Sequence, residues 1–151
     1  MASQERIDSQ PGDKHADLPS RHSLEVLHEG RLVFVSDRKW LHPLFELERF
    51  LHKHTIPVEE LVVHDKIVGR AAALLLVHLG VSRVVADLLS KRGQEVLEHY
   101  RVSYRFATLV DRILCKTEEL LAQELDPARA YWMLVELARG GSSPDQQPPS
   151  R

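Results

Sequence analysis

The stretch Leu61–Leu79, LVVHDKIVGRAAALLLVHL, decides the fold of this chain. It opens with three apolar residues, passes through the polar segment His64–Lys66, and closes with a long apolar run behind Gly69 and Arg70. This pattern predicts a short buried strand, a polar turn and then a helix that is buried on most of its surface. A strand that leads into a helix places the helix N-terminus at the carboxyl edge of a sheet, where free N–H groups favour anions and polar ligands.

The composition is that of one globular domain. The chain has 151 residues, and its 43% hydrophobic content is enough to form a core. A formal net charge of -2 gives no long-range attraction to nucleic acid or to an anionic membrane. No apolar run reaches the roughly 18 residues that a membrane-spanning helix needs. The single cysteine, Cys115, and the absence of a secretory signal at the start make the cytoplasm the default location.

The two ends of the chain differ in composition from the part between them. Residues 1–21 and 140–151 are polar and carry Gly, Pro, Ser, Asp and Gln. Such segments bury too little apolar surface to offset the entropy of ordering, so both are predicted to be disordered tails. The ordered domain is therefore predicted to span residues 22–139.

Strands and helices are predicted to alternate along this domain. A hairpin of Ser23–His28 and Arg31–Ser36 precedes a helix that begins at Pro43. The order continues with strand Glu60–His64, a helix to about Leu79, strand Val81–Leu89, helix Gln94–Tyr100, strand Val102–Thr108, helix Asp111–Glu124 and helix Ala128–Ala138. The β-α-β segments require right-handed crossovers and parallel pairing. The result is an α/β fold: a three-layer α/β/α domain with a mixed five-stranded sheet and an extra C-terminal helix.

Four residues of the opening stretch are candidates for a functional site. Asp65 and Lys66 are predicted at the carboxyl end of the third strand, where ligands of open α/β sheets bind, and we regard them as a candidate catalytic pair. Gly69 would let a ligand approach the backbone, and Arg70 could hold a carboxylate or phosphate. The alternative is structural: Asp65 as a helix cap, Lys66 and Arg70 as a solvated face, and Gly69 as a packing residue. Local spacing alone favours this alternative.

Three further residues are weaker candidates. Ser90 and Lys91 follow the fourth strand, so they are predicted at the same sheet edge as Asp65 and could also bind the ligand. A lysine in a surface turn is usually only solvated. Cys115 is predicted early in a helix, where the helix dipole would favour the thiolate. Its apolar neighbours Ile113 and Leu114 favour an inert, packed thiol instead.

The run His64–Leu76 resembles the D-K-[VI]-[VI]-G-[KR]-A-A-A-L-L signature of the DUF1893 family, and the similarity extends over about Ser23–Cys115. That family consists of small, largely uncharacterised prokaryotic proteins with a cytidine deaminase-like fold. The resemblance implies a β-β-α-β-α-β-α-β core, which agrees with the order predicted above. Relatives tend to carry Pro and an acidic residue after the cysteine, whereas Lys116–Glu118 follow Cys115 here, and this departure weakens a functional assignment of the thiol.

The resemblance also bears on metal binding. Zinc deaminases need an H/C-x-E pair at one helix start and P-C-x-x-C at the next, because three metal ligands and a Glu activate the water. In this chain the two helix starts read Gly69–Ala71 and Ser90–Gly93. The nine histidines are scattered and show no ligand spacing. We therefore predict no metal site, no cofactor and no zinc-dependent deaminase activity.

Two hypotheses about function follow, and the sequence leaves open whether the protein is an enzyme. In the first, a small polar or phosphorylated metabolite binds at the carboxyl edge of strands three and four; Asp65 and Lys66 supply acid/base or electrostatic work. In the second, the protein is a non-catalytic regulatory or interaction module that forms a homo-oligomer through its last helix, which carries Tyr131 and Trp132. Nucleic-acid binding is disfavoured, because the arginines form no run and aromatic residues are few.

Overall fold

The computed structural model describes residues 20–140. The strands are β1 (Leu24–His28), β2 (Arg31–Ser36), β3 (Leu61–Val68), β4 (Arg83–Ser90) and β5 (Ser103–Val110). The helices are α1 (His42–Lys53), α2 (Arg70–Leu79), α3 (Lys91–His99), α4 (Lys116–Leu120) and α5 (Pro127–Arg139), and a 3₁₀ turn (Val58–Glu60) precedes β3. Among these helices, none has both the length and the apolar character needed to cross a membrane. Apart from Ser20, Arg21 and Gly140, the two predicted tails lie outside the described residues.

The five strands form one mixed sheet in the order β2-β1-β3-β4-β5. β1 is antiparallel to both of its neighbours, whereas β3, β4 and β5 run parallel to one another. The parallel strands are joined by α2 and α3, as right-handed crossovers require. The predicted α/β class with a mixed five-stranded sheet is therefore confirmed, together with a further helix, α5, at the C-terminal end.

Local signals explain several helix ends. Pro43 lies in the first turn of α1, where its missing N–H is not needed. Gly80 ends α2 in the left-handed conformation, at φ 89°. The Asp126 carboxylate accepts hydrogen bonds from the N–H groups of Ala128 and Arg129 and so starts α5.

The main hydrophobic core lies between the sheet and the helices. Fully buried leucines reach it from α1, α2, α3 and α5: Leu47, Leu74, Leu97 and Leu134. Each contributes on the order of 2 kcal/mol through the apolar surface that it removes from water. A second, smaller cluster consists of strand residues alone, namely Leu27, Val62 and Val85. The α2 helix is the centre of the main core, because all its residues from Arg70 to Leu76 are buried.

The third strand is longer than the sequence predicted. The predicted strand ended at His64, but β3 continues to Val68, so Asp65 and Lys66 belong to a strand and not to a turn. Asp65 pairs with Leu24 of β1 on one side and with Ala86 of β4 on the other. The strand continues because its backbone stays paired with the neighbouring strands beyond His64. Asp65 is buried there, at 9% relative exposure, although burial opposes the usual charge of its side chain.

Two helix predictions were wrong in their bounds. The predicted turn at Ser90–Gly93 is instead the start of α3, which begins at Lys91. The predicted helix Asp111–Glu124 is reduced to the short α4, and the chain from Asp111 to Cys115 is irregular. This irregular segment leaves Leu114 86% exposed, so it does not pack into the core as an amphipathic helix would.

Candidate functional site

A cavity of about 400 Å³ lies at the carboxyl edge of β3, next to the start of α2. We call it the Trp40 cavity. Its apolar wall is formed by Leu41, Ile67, Ala71, Ala72, Ile113 and Leu114. Its remaining lining residues are Trp40, Gly69, Cys115, Thr117 and Glu118. The cavity lies where the sequence predicted a site, because parallel strands and the helices that follow them leave a crevice at this edge.

Trp40 combines two unusual features at this cavity. Its backbone has φ 61°, in the left-handed region that bulky residues rarely adopt. Its indole Nε1 is buried, and among the described residues it has no hydrogen-bond partner. The side chain packs near Phe45, with 6.2 Å between ring centroids. Both features are energetically unfavourable, and Trp40 carries them in the wall of the cavity.

Glu118 holds the start of helix α2 from a position far along the chain. Its side chain is buried, and Oε1 accepts a 2.6 Å hydrogen bond from the N–H of Arg70. Its other oxygen, Oε2, accepts a 2.8 Å hydrogen bond from the N–H of Ile113. Gly69, the residue before α2, offers no side-chain cap. The carboxylate therefore satisfies an otherwise free N–H group and complements the positive end of the helix dipole.

Arg70 is committed to contacts inside the protein. It is 1% exposed, and its Nε and Nη2 donate to the carbonyl oxygen of Glu124 at 2.9 and 2.6 Å. Its Nη1 donates to the carbonyl of Arg92 at 3.0 Å and to the carboxylate of Glu95 at 2.6 Å. Arg70 thus ties α3 and the connection before α5 to the start of α2. It is not among the residues that line the cavity, so the predicted grip on an external anion is replaced by an internal one.

The predicted pair Asp65 and Lys66 is divided between the interior and the surface. Burial raises the pKa of Asp65 to about 8, and the nearby Asp87 carboxylate adds to the rise. Hydrogen bonds from the backbone N–H groups of Ile67 and Lys66 oppose it. The Asp65 carboxyl group is therefore mostly protonated at neutral pH and can donate a hydrogen bond. The Lys66 side chain is exposed. Of the three residues Asp65, Lys66 and Ile67, only Ile67 lines the cavity.

Ser90 and Lys91 lie at the predicted edge but serve the fold. Ser90 is fully buried, and its Oγ accepts a 2.9 Å hydrogen bond from the N–H of Gly93, which caps α3. The Lys91 ammonium group pairs with the Asp111 carboxylate at 3.2 Å, and its side chain is 62% exposed. Neither residue lines the Trp40 cavity.

Cys115 does line the cavity, although not from within a helix as predicted. It is the residue before α4, has intermediate exposure, and its Sγ lies 3.3 Å from Oγ1 of Thr117. Of the seven predicted site residues, the structure therefore places only Gly69 and Cys115 in the cavity wall.

Comparison with known proteins agrees with this architecture. A family model described as a domain of unknown function, DUF1893, matches residues 15–136. The chain belongs to the DUF1893 family. A solved structure of a DUF1893 family protein from Thermotoga maritima is similar to this chain, with a TM-score of 0.69 and 23% sequence identity. The match covers 90% of this chain and 96% of the Thermotoga protein, so the two share a fold. No curated protein matches the chain.

One group of possible metal ligands occurs among the described residues of this DUF1893 protein. It consists of His28, Glu29 and Glu60, whose ligand atoms lie within 4.8 Å of one another. His28 pairs with Leu61 at the start of β3, so the group is at the opposite edge of the sheet from the Trp40 cavity. Exposed acidic groups commonly cluster without a metal, and this group suggests no function.

The two residues that best define the cavity in this DUF1893 chain were not predicted. Trp40 lies in a polar connection, and no feature of its sequence indicates a left-handed backbone. Glu118 acts on Arg70 across 48 positions of sequence, which no local pattern reveals. The only available signal was the helix start without a side-chain cap at Gly69, since such a start requires a partner from elsewhere.

Proposed function

We propose that this DUF1893 protein binds a small molecule in the Trp40 cavity, through a hydrogen bond from the indole N–H of Trp40. The observation that carries this proposal is the buried Nε1 atom of Trp40, which no described residue accepts from. A buried donor without a partner costs about 1–3 kcal/mol. A ligand acceptor that meets Nε1 after the indole turns toward the cavity would recover that free energy, because in this structure Nε1 has almost no accessible surface.

The shape of the cavity supports the same proposal. Its volume of about 400 Å³ is within the range of small-molecule sites. Its walls are mostly apolar, and few polar groups are available to orient a ligand, which is the usual make-up of such sites. The backbone of Trp40 is also strained, because its φ is positive. Residues with strained backbones cluster at ligand sites.

Of the candidate pair Asp65 and Lys66, only Asp65 has a role in this proposal. The Asp65 carboxyl group accepts a hydrogen bond from the N–H of Ile67, and Ile67 lines the cavity. Lys66 is exposed and does not line the cavity. We propose Asp65 as the member of the pair that supports the site. A catalytic step, the placement in the cytidine deaminase-like superfamily, independence from zinc and a cytoplasmic location stay predictions.

The test uses the two tryptophans of the chain as a matched pair. Wild type, Trp40→Phe and Trp132→Phe are screened by thermal shift against nucleosides, nucleotides, sugars, sugar phosphates and amino acids. Trp40→Phe keeps the aromatic ring but removes the N–H donor, whereas Trp132 is 60% exposed on α5 and serves as the control. A compound that binds wild type and Trp132→Phe should bind Trp40→Phe about tenfold more weakly. A silent panel, or equal binding by Trp40→Phe, would refute the proposal.

A specific observation also favours self-association as a second candidate function. Trp132 is exposed on α5, and a groove of about 420 Å³ lies beside α4 and α5, lined in part by Leu120 and Leu137. Exposed apolar surface of this kind often marks a protein interface. Deleting α5 would disturb the core, because Ala130 and Leu134 are fully buried. The sharper test is Trp132→Glu: light scattering should show an oligomer for wild type and a monomer for the variant, and a monomeric wild type would exclude this role.

A further inference from the structure

We infer that Glu118 determines the charge of the ligands that the Trp40 cavity accepts. Its carboxylate takes the place of an external anion at the start of α2, so the cavity favours uncharged molecules over those bearing a phosphate or carboxylate group. This inference rests on the proposed function, since it concerns the ligand of the same cavity. Glu118 is then a specificity-determining residue, and the ligands of the cavity are uncharged small molecules.

The first N–H group of α2 already donates to an anionic side chain of the protein. The first N–H groups of a helix are free to bind an anion, and the helix dipole favours negative charge there. In α2 the N–H of Arg70 donates to Oε1 of Glu118 at 2.6 Å. The side chain of Glu118 is 1% exposed and is fixed at its second oxygen by the N–H of Ile113. The sequence predicted an anion at Gly69 and Arg70, and the anion found there belongs to the chain itself.

No space remains between the Glu118 carboxylate and the backbone of Gly69. A Cβ atom placed on Gly69 would stand 2.7 Å from Oε1 of Glu118 and 3.1 Å from Cγ1 of Ile113. Oε1 therefore lies against the backbone at the point that a bound phosphate would need to reach. A ligand in the cavity would contact Glu118 together with Gly69, Ala71 and Ala72 at the start of α2.

The charge carried by the cavity wall is negative. Glu118 is an acidic lining residue, and the cavity wall, which is formed entirely by described residues, contains no lysine, arginine or histidine. The guanidinium groups near the wall are engaged elsewhere: that of Arg70 is bound to two carbonyl groups and to Glu95, and that of Arg112 pairs with Glu119. Nη1 of Arg92 donates to the carbonyl oxygen of Glu118. A phosphate or carboxylate in the cavity would therefore face the Glu118 carboxylate without a cationic residue in the wall to balance it.

The experiment uses inorganic phosphate as the probe and needs no knowledge of the natural ligand. Thermal unfolding of wild type, Glu118→Ala and Glu119→Ala is followed over a phosphate series at constant ionic strength. Glu119 is the matched control, because it is the next residue and also acidic, but it is 60% exposed and pairs with Arg112. Glu118→Ala frees the N–H groups of Arg70 and Ile113. It should bind phosphate about tenfold more tightly than wild type or Glu119→Ala.

A second variant keeps the test decisive if Glu118→Ala does not fold. Glu118→Gln retains an acceptor oxygen for the N–H of Arg70 but removes the charge, and it should bind phosphate about threefold more tightly than wild type. Equal phosphate binding by wild type and the folded Glu118 variants would overturn this inference, whatever the ligand panel shows. A silent ligand panel would overturn the proposed function alone. The two failures are therefore distinguishable.

Discussion

The Glu118 carboxylate lies so close to Gly69 that a Cβ atom on residue 69 would be 2.7 Å from Oε1. The backbone of Gly69, at φ -97°, is one that any residue adopts. Glycine is therefore required here by the close approach of a side chain 49 positions away and not by the backbone conformation. The two residues together form the junction between α4 and the start of α2.

This contact predicts a measurable coupling between Gly69 and Glu118. Gly69→Ala should lower the free energy of unfolding by about 1–3 kcal/mol, because the added methyl group displaces a carboxylate held by two hydrogen bonds. Glu118→Ala should lower it by a similar amount, because the N–H groups of Arg70 and Ile113 lose their partner. In the double variant the methyl group no longer meets the carboxylate. The loss in free energy of unfolding for the double variant should therefore be smaller, by about 1 kcal/mol, than the sum of the losses for the two single variants.

Urea unfolding of the four proteins measures this coupling. Gly140→Ala is the control for the effect of adding a methyl group: Gly140 has φ -68°, and its Cβ would meet Leu137 O at an ordinary 3.4 Å. This control should change stability by less than about 0.5 kcal/mol. Strict additivity of Gly69→Ala and Glu118→Ala would contradict the predicted contact.

The buried carboxyl group of Asp65 predicts a distinct pH dependence of stability. Burial raises its folded-state pKa from 3.8 to about 8, so the folded protein keeps a proton that the unfolded chain releases. The stabilisation from the neutral group is complete below about pH 4 and is lost as the pH rises to about 8. Across this window the free energy of unfolding should fall by up to about 1.4 kcal/mol per pH unit.

Asp65→Asn isolates this effect, because the amide has the shape of the neutral acid and does not titrate. The stability of Asp65→Asn relative to wild type should rise from about pH 4 to pH 8 and then level off. Asp111→Asn is the control, since the Asp111 side chain is 88% exposed, and its profile should run parallel to that of wild type. Parallel profiles for wild type and Asp65→Asn would show that Asp65 is not a neutral buried acid.

The fold was predictable from the sequence because its signals are local. The strand and helix patterns around Leu61–Leu79 gave the order of elements, and the handedness of β-α-β units then determined the parallel half of the sheet. The errors arose where tertiary contacts override local preference. β3 continues through Asp65 because its backbone stays paired with the neighbouring strands, and the side chain is buried there as a neutral acid. The segment before α4 is irregular because Glu118 reaches back to Arg70, leaving Leu114 in solvent.

The sequence predicted a ligand site at the carboxyl edge of β3, and that site stays a prediction. A cavity does lie at this edge, and of the predicted residues Gly69 and Cys115 line it. The polar residues Arg70 and Ser90 form internal hydrogen bonds, because groups at a buried helix start must first satisfy the protein itself. Trp40 lines the cavity with a left-handed backbone conformation, which the sequence around it does not indicate.

A buried arginine and a surface lysine at the same sheet edge, Arg70 and Lys91, should differ in how much they stabilise the fold. Arg70→Lys should lower the free energy of unfolding by about 2–4 kcal/mol, because one ammonium nitrogen cannot replace the four hydrogen bonds that Nε, Nη1 and Nη2 of the guanidinium donate. Lys91→Met removes only an exposed ion pair with Asp111 and should cost less than about 1 kcal/mol. Glu95→Gln is the control for the charge partner of Arg70. Its carboxylate side chain is 62% exposed, so its effect should also be small. Denaturant unfolding gives all three values, and a loss for Arg70→Lys no greater than that for Lys91→Met would show that the guanidinium does not hold α3 and α5 to the start of α2.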